Sequence, residues 1–451
     1  MKQKILFAVL FTAMLFTACK EEFLAPDISG IETADYVLNI GDKLTLAPNI
    51  TNLKGNDYVW YVNEKKVANA TTDYTFVAVN PGTFVVTFKA SNKGGAADKA
   101  FKIVVEKSID ISFDQAIYVT PKSNVVEIAP KITGPERNDY TYEWMLGDEV
   151  LGKKKNLEFI TITPGKYELK LIVSAGKQTQ TTTVNVKVED ADYFKYATTL
   201  VDVQFAAGKS SWRYPFGTEA GSFASPYEEY KQKLSNYIQN KPSAELNIGE
   251  WGGYAVYGFD HTIANVPSES DIQVTVTDYS QSETAFFVAY DRNKNGKPDE
   301  DEWYEIKSAN FGVTQIKDYK KTFTYNGIYS GNNIEYEWKD SETNGKIEAN
   351  FNRFPGCDKK DNKIILTEDW KNTFTLSGRR IITRAQMAFT PNKTYNIDIN
   401  NAVNKNDEPI FLPGVDFLKV QNICVMYWKD ELEPYMYYKG QKISGIEDKH
   451  L

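Results

Sequence analysis

Apolar and polar residues alternate with a period of two through much of this chain. Phe84-Val86-Phe88, Tyr167-Leu169-Leu171, Ile272 to Val276, Phe286 to Tyr290 and Tyr395 to Ile399 each place apolar side chains on one face of an extended segment, the signature of a half-buried strand. One segment changes period: over residues 226–239, Tyr227, Tyr230, Leu234, Tyr237 and Ile238 fall at helical spacing. The pattern predicts an all-β fold with one helix. The start of the chain differs again. Lys2 and Lys4 precede a continuous apolar run, Ile5 to Phe16, and small residues lead from there to Cys19. That is the order of a secretory signal, and the run is too short to span a bilayer.

The strand pattern repeats. Ala47-Pro48 recurs as Ala129-Pro130, Ile50-Thr51 as Ile132-Thr133, Trp60 as Trp144 and Pro81-Gly82 as Pro164-Gly165, at offsets of 82 to 84 residues. Each Pro-Gly turn opens an alternating run, and each tryptophan lies at the centre of an aromatic strand suited to plugging the space between two sheets. These features resemble tandem PKD or immunoglobulin-like modules, expected at 24–106 and 107–189. The acidic linker Glu189-Asp190-Ala191-Asp192 separates them from residues 193–451, whose short strands and long loops predict one larger jelly-roll-like β-sandwich. The PKD-like modules are expected to act as spacers.

Composition narrows the function. Of 451 residues, 52 are Lys or Arg and 60 are Asp or Glu, a formal charge of -8. The charges are well mixed, without a basic patch, so neither nucleic acid nor anionic lipid headgroups are expected partners. The chain has two histidines, His261 and His450, and Cys357 and Cys424 besides Cys19. The cysteine pair is compatible with one disulfide, but nothing in the spacing compels it. So few soft ligands argue against a zinc site.

Cys19 and its flanks resemble the lipobox of bacterial lipoproteins, with Phe16 in place of the usual Leu, and Lys20-Glu21-Glu22 resembles the surface-export signal of Bacteroidota lipoproteins. The resemblance implies a signal peptide over 1–18, a lipidated Cys19 opening the export segment 19–23, and a protein held at the outer-membrane surface.

Two segments of the C-terminal region carry chemistry. From Asp291 to Glu302, Asp291, Asn293, Asn295, Asp299 and Glu302 supply side-chain oxygens at positions 1, 3, 5, 9 and 12, Lys297 offers its carbonyl at position 7, and Gly296 occupies the turn. That arrangement suits a structural calcium ion. A strand precedes it rather than a helix, Pro298 stands at position 8 and Glu305 competes for the last position, so a polar Asn-Gly hairpin loop explains the same residues. The second segment is Trp251 to Ile263. Trp251, Tyr254 and Tyr257 are either core or an aromatic platform for a sugar ring or a corrin. His261 stands beside Asp260, but neighbours on a strand point to opposite faces. A buried histidine bonded to backbone is therefore expected.

Segments from Trp251 through Trp303-Tyr304-Glu305-Ile306, Pro413 to Gln421 and Ser444 to Asp448 resemble the C-terminal domain of PKD-bearing cell surface proteins of Bacteroidota. Residues 427–439 depart from that pattern. The resemblance implies capture of an extracellular ligand, a glycan or a cobalamin-like (corrinoid) nutrient, beside a TonB-dependent transporter. Two other functions stay open: an adhesin, and a glycoside hydrolase, which requires a facing carboxylate pair that no motif marks. No catalytic triad or Gly-x-Ser-x-Gly motif is present, and a non-enzymatic role is expected.

Overall fold

The computed structural model describes residues 23–30, 35–204, 227–249, 251–277, 284–307, 315–330, 333–342, 344–350, 357–360, 363–366, 373–381, 393–426 and 441–451. The signal segment, Cys19 and the divergent stretch 427–439 lie outside them. Among the described residues no helix is long and apolar enough to cross a membrane. The chain divides into two compact units, one of residues 1–114, 129–155 and 169–184, the other of residues 115–128, 156–168 and 185–451.

The first unit contains the first repeat copy, a five-stranded sheet in the order Tyr36–Asn39, Gly95–Glu106, Gly82–Asn92, Asp57–Val62, Lys65–Asn69. Tyr36–Asn39 runs parallel to its neighbour and the other pairs are antiparallel. Two short ribbons, Asp27–Ser29 with Asn49–Thr51 and Lys43–Leu46 with Tyr74–Val77, complete the module. The expected alternation holds on Gly82–Asn92, where Val86, Phe88 and Ala90 are buried and Val85 is exposed. Trp60 is fully buried, packs on Phe88 at 4.6 Å between ring centroids, and donates its indole N–H to the Thr71 carbonyl. A buried indole needs such a partner. Trp144 repeats the arrangement, buried on Thr141–Leu146 with its N–H shared between the Lys154 and Lys155 carbonyls. The parallel pairing also recurs in the second copy, where Ile117–Pro121 runs alongside residues 185–189.

The second unit holds the C-terminal region. A six-stranded sheet runs in the order Thr199–Gln204, Tyr254–Ala264, Gly414–Asn422, Thr284–Ala289, Trp303–Ile306, Ala402–Val403. A four-stranded sheet runs Leu246–Gly249, Gln441–Asp448, Ile272–Thr277, Lys393–Ile397. Both feed one core, with Ile263, Val288, Val415, Leu418 and Val420 from the first and Ile248, Ile272, Val274, Val276 and Ile443 from the second. The helix forms as its spacing predicts, Tyr227–Ile238, and buries Tyr230, Leu234 and Ile238 in the same core. Ser235 fastens it to the first sheet by accepting the Leu200 N–H and donating to the Leu200 carbonyl. A further five-stranded sheet centres on Gln315–Ser330. The chain is an all-β protein of sandwich-type modules.

Candidate functional site

The site begins with an irregularity in strand Tyr254–Ala264. Against Gly414–Asn422 its register jumps from Gly258↔Phe417 to Ile263↔Val415, so five steps on one strand face two on the other. A bulge of this kind re-aims side chains, and the strict alternation expected for Asp260 and His261 fails there. The neighbours meet: His261 Nδ1 lies 2.8 Å from Asp260 Oδ1, and His261 Nε2 lies 2.9 Å from Asp448 Oδ2. The expectation of a histidine bonded to backbone is thus corrected. The residue is buried, but its partners are two carboxylates.

A carboxylate at each ring nitrogen favours the doubly protonated imidazole, which can donate to both. Burial alone would lower the His261 pKa, yet the bonds from Asp448 and Asp260 outweigh it and the net shift is upward. The network continues through the chain terminus. Asp448, fully buried, accepts the His450 backbone N–H at its other oxygen, and His450 Nε2 lies 2.9 Å from Asp271 Oδ1. Asp271 also accepts the N–H groups of Val266 and Ile399. The bond to Asp271 raises the His450 pKa against the opposing effect of burial. Both histidines of the chain therefore belong to one network, in which Asp448 joins the His261 ring to the His450 backbone. Tyr193 packs at a tilt on His261, 4.8 Å between ring centroids, and its hydroxyl accepts from Asn124 Nδ2.

A pocket of about 390 Å³ opens beside His261. Asp260, Asp416 and Lys294 supply charge to its wall, and Phe259, Tyr290 and Phe417 supply rings. Asp416 is positioned by Thr262 Oγ1, which donates to it over 2.6 Å, and by the Asp291 backbone N–H at 2.8 Å. Burial raises its pKa; the two hydrogen bonds oppose that, and the nearby Asp291 and Glu302 carboxylates add to it. Burial likewise holds the Tyr290 phenol well above its ordinary range.

The loop Asp291 to Glu302 borders this pocket through Asp291 and Gly296. Its flanking strands Thr284–Ala289 and Trp303–Ile306 pair with each other, so the loop is a long hairpin connection rather than a helix–loop–helix. Asp291 accepts the N–H groups of Asn295 and Gly296, and Gly296 takes φ +76° at the turn. Asn293 and Asn295 each donate an amide N–H to Asp299 Oδ2. Glu302 closes both ends, accepting the Arg292 N–H on one oxygen and the Asp299 N–H on the other. Glu305, the competitor for the last position, pairs instead with Arg379. Lys297 donates its backbone N–H to Asn295 Oδ1. Among the described residues no group of three or more His, Cys, Asp or Glu is gathered as a metal cluster. The oxygen donors are of the hard type calcium takes.

Of the two readings held for the aromatic residues, core or platform, the structure shows core for Trp251 and Tyr257. Trp251 is buried, donates to the Ile423 carbonyl at 3.1 Å and packs on Tyr319. Tyr257 is buried in the core, and three steps along a strand put Tyr254 on the opposite face. There Tyr254 donates to Asp202 and lies 4.1 Å beneath Lys419 Nζ, whose pKa burial pushes down to about 8. Of these four candidate ligand-binding residues, Trp251, Tyr254, Tyr257 and His261, only His261 belongs to the pocket wall, with its ring fully buried behind it. Sequence reasoning missed Asp271, Asp416, Asp448 and His450. One signal was available: each of the chain's two histidines lies within two residues of an aspartate.

The PKD-like domain family matches residues 26–92. A search of curated proteins gives no match. Among solved structures, the titin I-band fragment I67-I69 is similar over 72% of this chain and 96% of its own, at 11% identity and TM-score 0.31. The N-terminal four Ig domains of Dscam1 isoform 6.9 are similar over 37% of this chain at 11% identity and TM-score 0.27, and this chain spans 46% of that structure. The fibronectin(III)-like modules of Clostridium thermocellum CbhA cover 37% of this chain and 95% of their own, at 12% identity and TM-score 0.21. At these scores the structural likenesses carry no argument about activity.

Proposed function

We propose that this chain is a lipid-anchored surface protein of the outer membrane whose C-terminal region captures a glycan in the pocket beside His261, with PKD-like modules as its spacer. The observation that carries this reading is a polar pocket of about 390 Å³ whose wall carries Asp260, Asp416 and Lys294 beside the ring of Phe259. Carboxylates bond vicinal hydroxyls and rings stack on sugar faces, which is sufficient for binding without titratable chemistry. Hydrolysis would need two carboxylates facing each other across a sugar, and the test below therefore also follows the oligosaccharide for cleavage, which would contradict capture alone. The size of the pocket favours one or two sugar rings over a corrinoid with its nucleotide loop. Delivery to an adjacent TonB-dependent transporter is the part of the proposal supported by sequence resemblance alone. A calcium ion in the Asp291 to Glu302 loop, if bound, would be structural, fixing one wall of the pocket.

The test is calorimetric titration of the mature chain against neutral oligosaccharides and corrinoids. The reading expects oligosaccharide binding that weakens at least tenfold in Asp260→Asn and Asp416→Asn variants that retain their folded spectra. Corrinoid binding, or oligosaccharide binding untouched by both substitutions, would contradict it.

A further inference from the structure

The first described residues do not hang from the first sandwich but are fastened along it. A Cβ on Gly94 would come within 1.9 Å of the Phe23 carbonyl oxygen, so the backbone at Phe23 lies hard against the hairpin tip. Asn92 Nδ2 donates to the Leu24 carbonyl at 2.8 Å and Asn52 Nδ2 donates to the Ala25 carbonyl at 2.8 Å. Asn92 also reaches Asn56 Oδ1 and the Lys54 carbonyl, which joins the 53–56 turn to the same end of the module. Lys54 and Lys93 each place their ammonium 5.4 Å from the Phe23 ring centroid. Leu24 and Leu53, 65% and 62% exposed, project from this end as well.

Only Lys20, Glu21 and Glu22 separate Cys19 from Phe23. Four Cα steps reach at most about 14 Å fully extended. A chain acylated at Cys19 and fastened from Phe23 onward cannot hold this end of the sandwich far from the leaflet that receives the acyl groups. We propose that the end of the first module carrying Leu24, Leu53, Lys54 and Lys93 lies on the membrane surface, its leucines at the interface and its two lysines among anionic lipid headgroups, a local pairing that the mixed charge of the whole chain does not show. Exposed leucines beside lysines form the amphipathic mixture that suits this boundary. The opposite end, where Gly41 bonds Ala78 and Lys43 pairs with Val77, then stands clear of the membrane. The eleven residues of Gly82–Asn92 between the two ends span about 34 Å.

This surface rests on the lipoprotein reading, and one experiment separates the two. Wild-type protein purified from its source membrane is placed in vesicles of phosphatidylcholine with phosphatidylglycerol, and its lysines are acetylated and quantified by mass spectrometry. The same chain without acyl groups, in solution, is the reference. Labelling of Lys54 and Lys93 is expected to fall at least fivefold in vesicles while Lys43 and Lys65 react as in solution. An acylated Cys19 with all four lysines equally reactive overturns the membrane-facing surface and leaves the anchor intact. An unacylated Cys19 overturns both.

Discussion

Replacing Asp448 by asparagine removes one of the two carboxylates that hold the buried His261 ring. A hydrogen bond to a charged group contributes about 1.5–3 kcal/mol, and the amide that replaces the carboxylate retains an acceptor oxygen but no charge. The expected loss at pH 6 is about 2–3 kcal/mol, a fall of about 3–5 °C in melting temperature for a unit of this size. The sign of the pH dependence follows from linkage. His261 has a folded-state pKa above its unfolded value of 6.5. Its ion pairs therefore stabilise fully below pH 6.5, and their contribution fades as pH rises through the folded pKa. The gap between wild type and Asp448→Asn should narrow by pH 9. His450 shifts in the same direction, so the comparison is made in a His450→Gln background. Circular dichroism melts at pH 6 and pH 9, with NMR titration of the remaining imidazole, provide the readout. An imidazole that titrates at or below 6.5, or a melting difference equal at both pH values, would refute the doubly paired imidazolium.

Other predictions concern the scaffold and the loop. Trp60→Ala or Trp144→Ala should each cost about 3–5 kcal/mol, read by denaturant unfolding, because each indole fills the centre of a repeat copy; a loss below 1 kcal/mol would contradict that role. Gly94→Ala should release the segment at Phe23, and limited proteolysis should then cleave near residues 23–26 much faster than in wild type. If calcium occupies the 291–302 loop, an ion at one hundred times its dissociation constant stabilises by about 2.7 kcal/mol. A melting shift on adding calcium to EDTA-treated protein should then appear in wild type and vanish in Asp291→Ala.

The scaffold was legible in the sequence because its forces are local and periodic. Alternation set the strands, the repeated Trp and Pro-Gly positions marked two related modules, and the spacing of Tyr230, Leu234 and Ile238 defined the helix. The site was less legible for two physical reasons. Its bulge breaks the alternation from which side-chain direction is read, which turned Asp260 and His261 from opposed neighbours into a bonded pair. Its remaining members are brought by long-range pairing: Asp448 and His450 come from the chain end, and Asp416 from a strand 154 residues beyond Thr262. The aromatic residues stayed open between two roles because Trp251 and Tyr257 are rich in contact area that serves the core as well as it would serve a sugar, and the structure uses both for the core.

The most direct test of glycan capture uses the rarity of histidine. With just two imidazoles to resolve, NMR of the mature chain saturated with its best-bound oligosaccharide should move the His261 resonance and leave that of His450 near its free position. An oligosaccharide bound at saturation with His261 unmoved would place recognition elsewhere on the molecule and contradict the account.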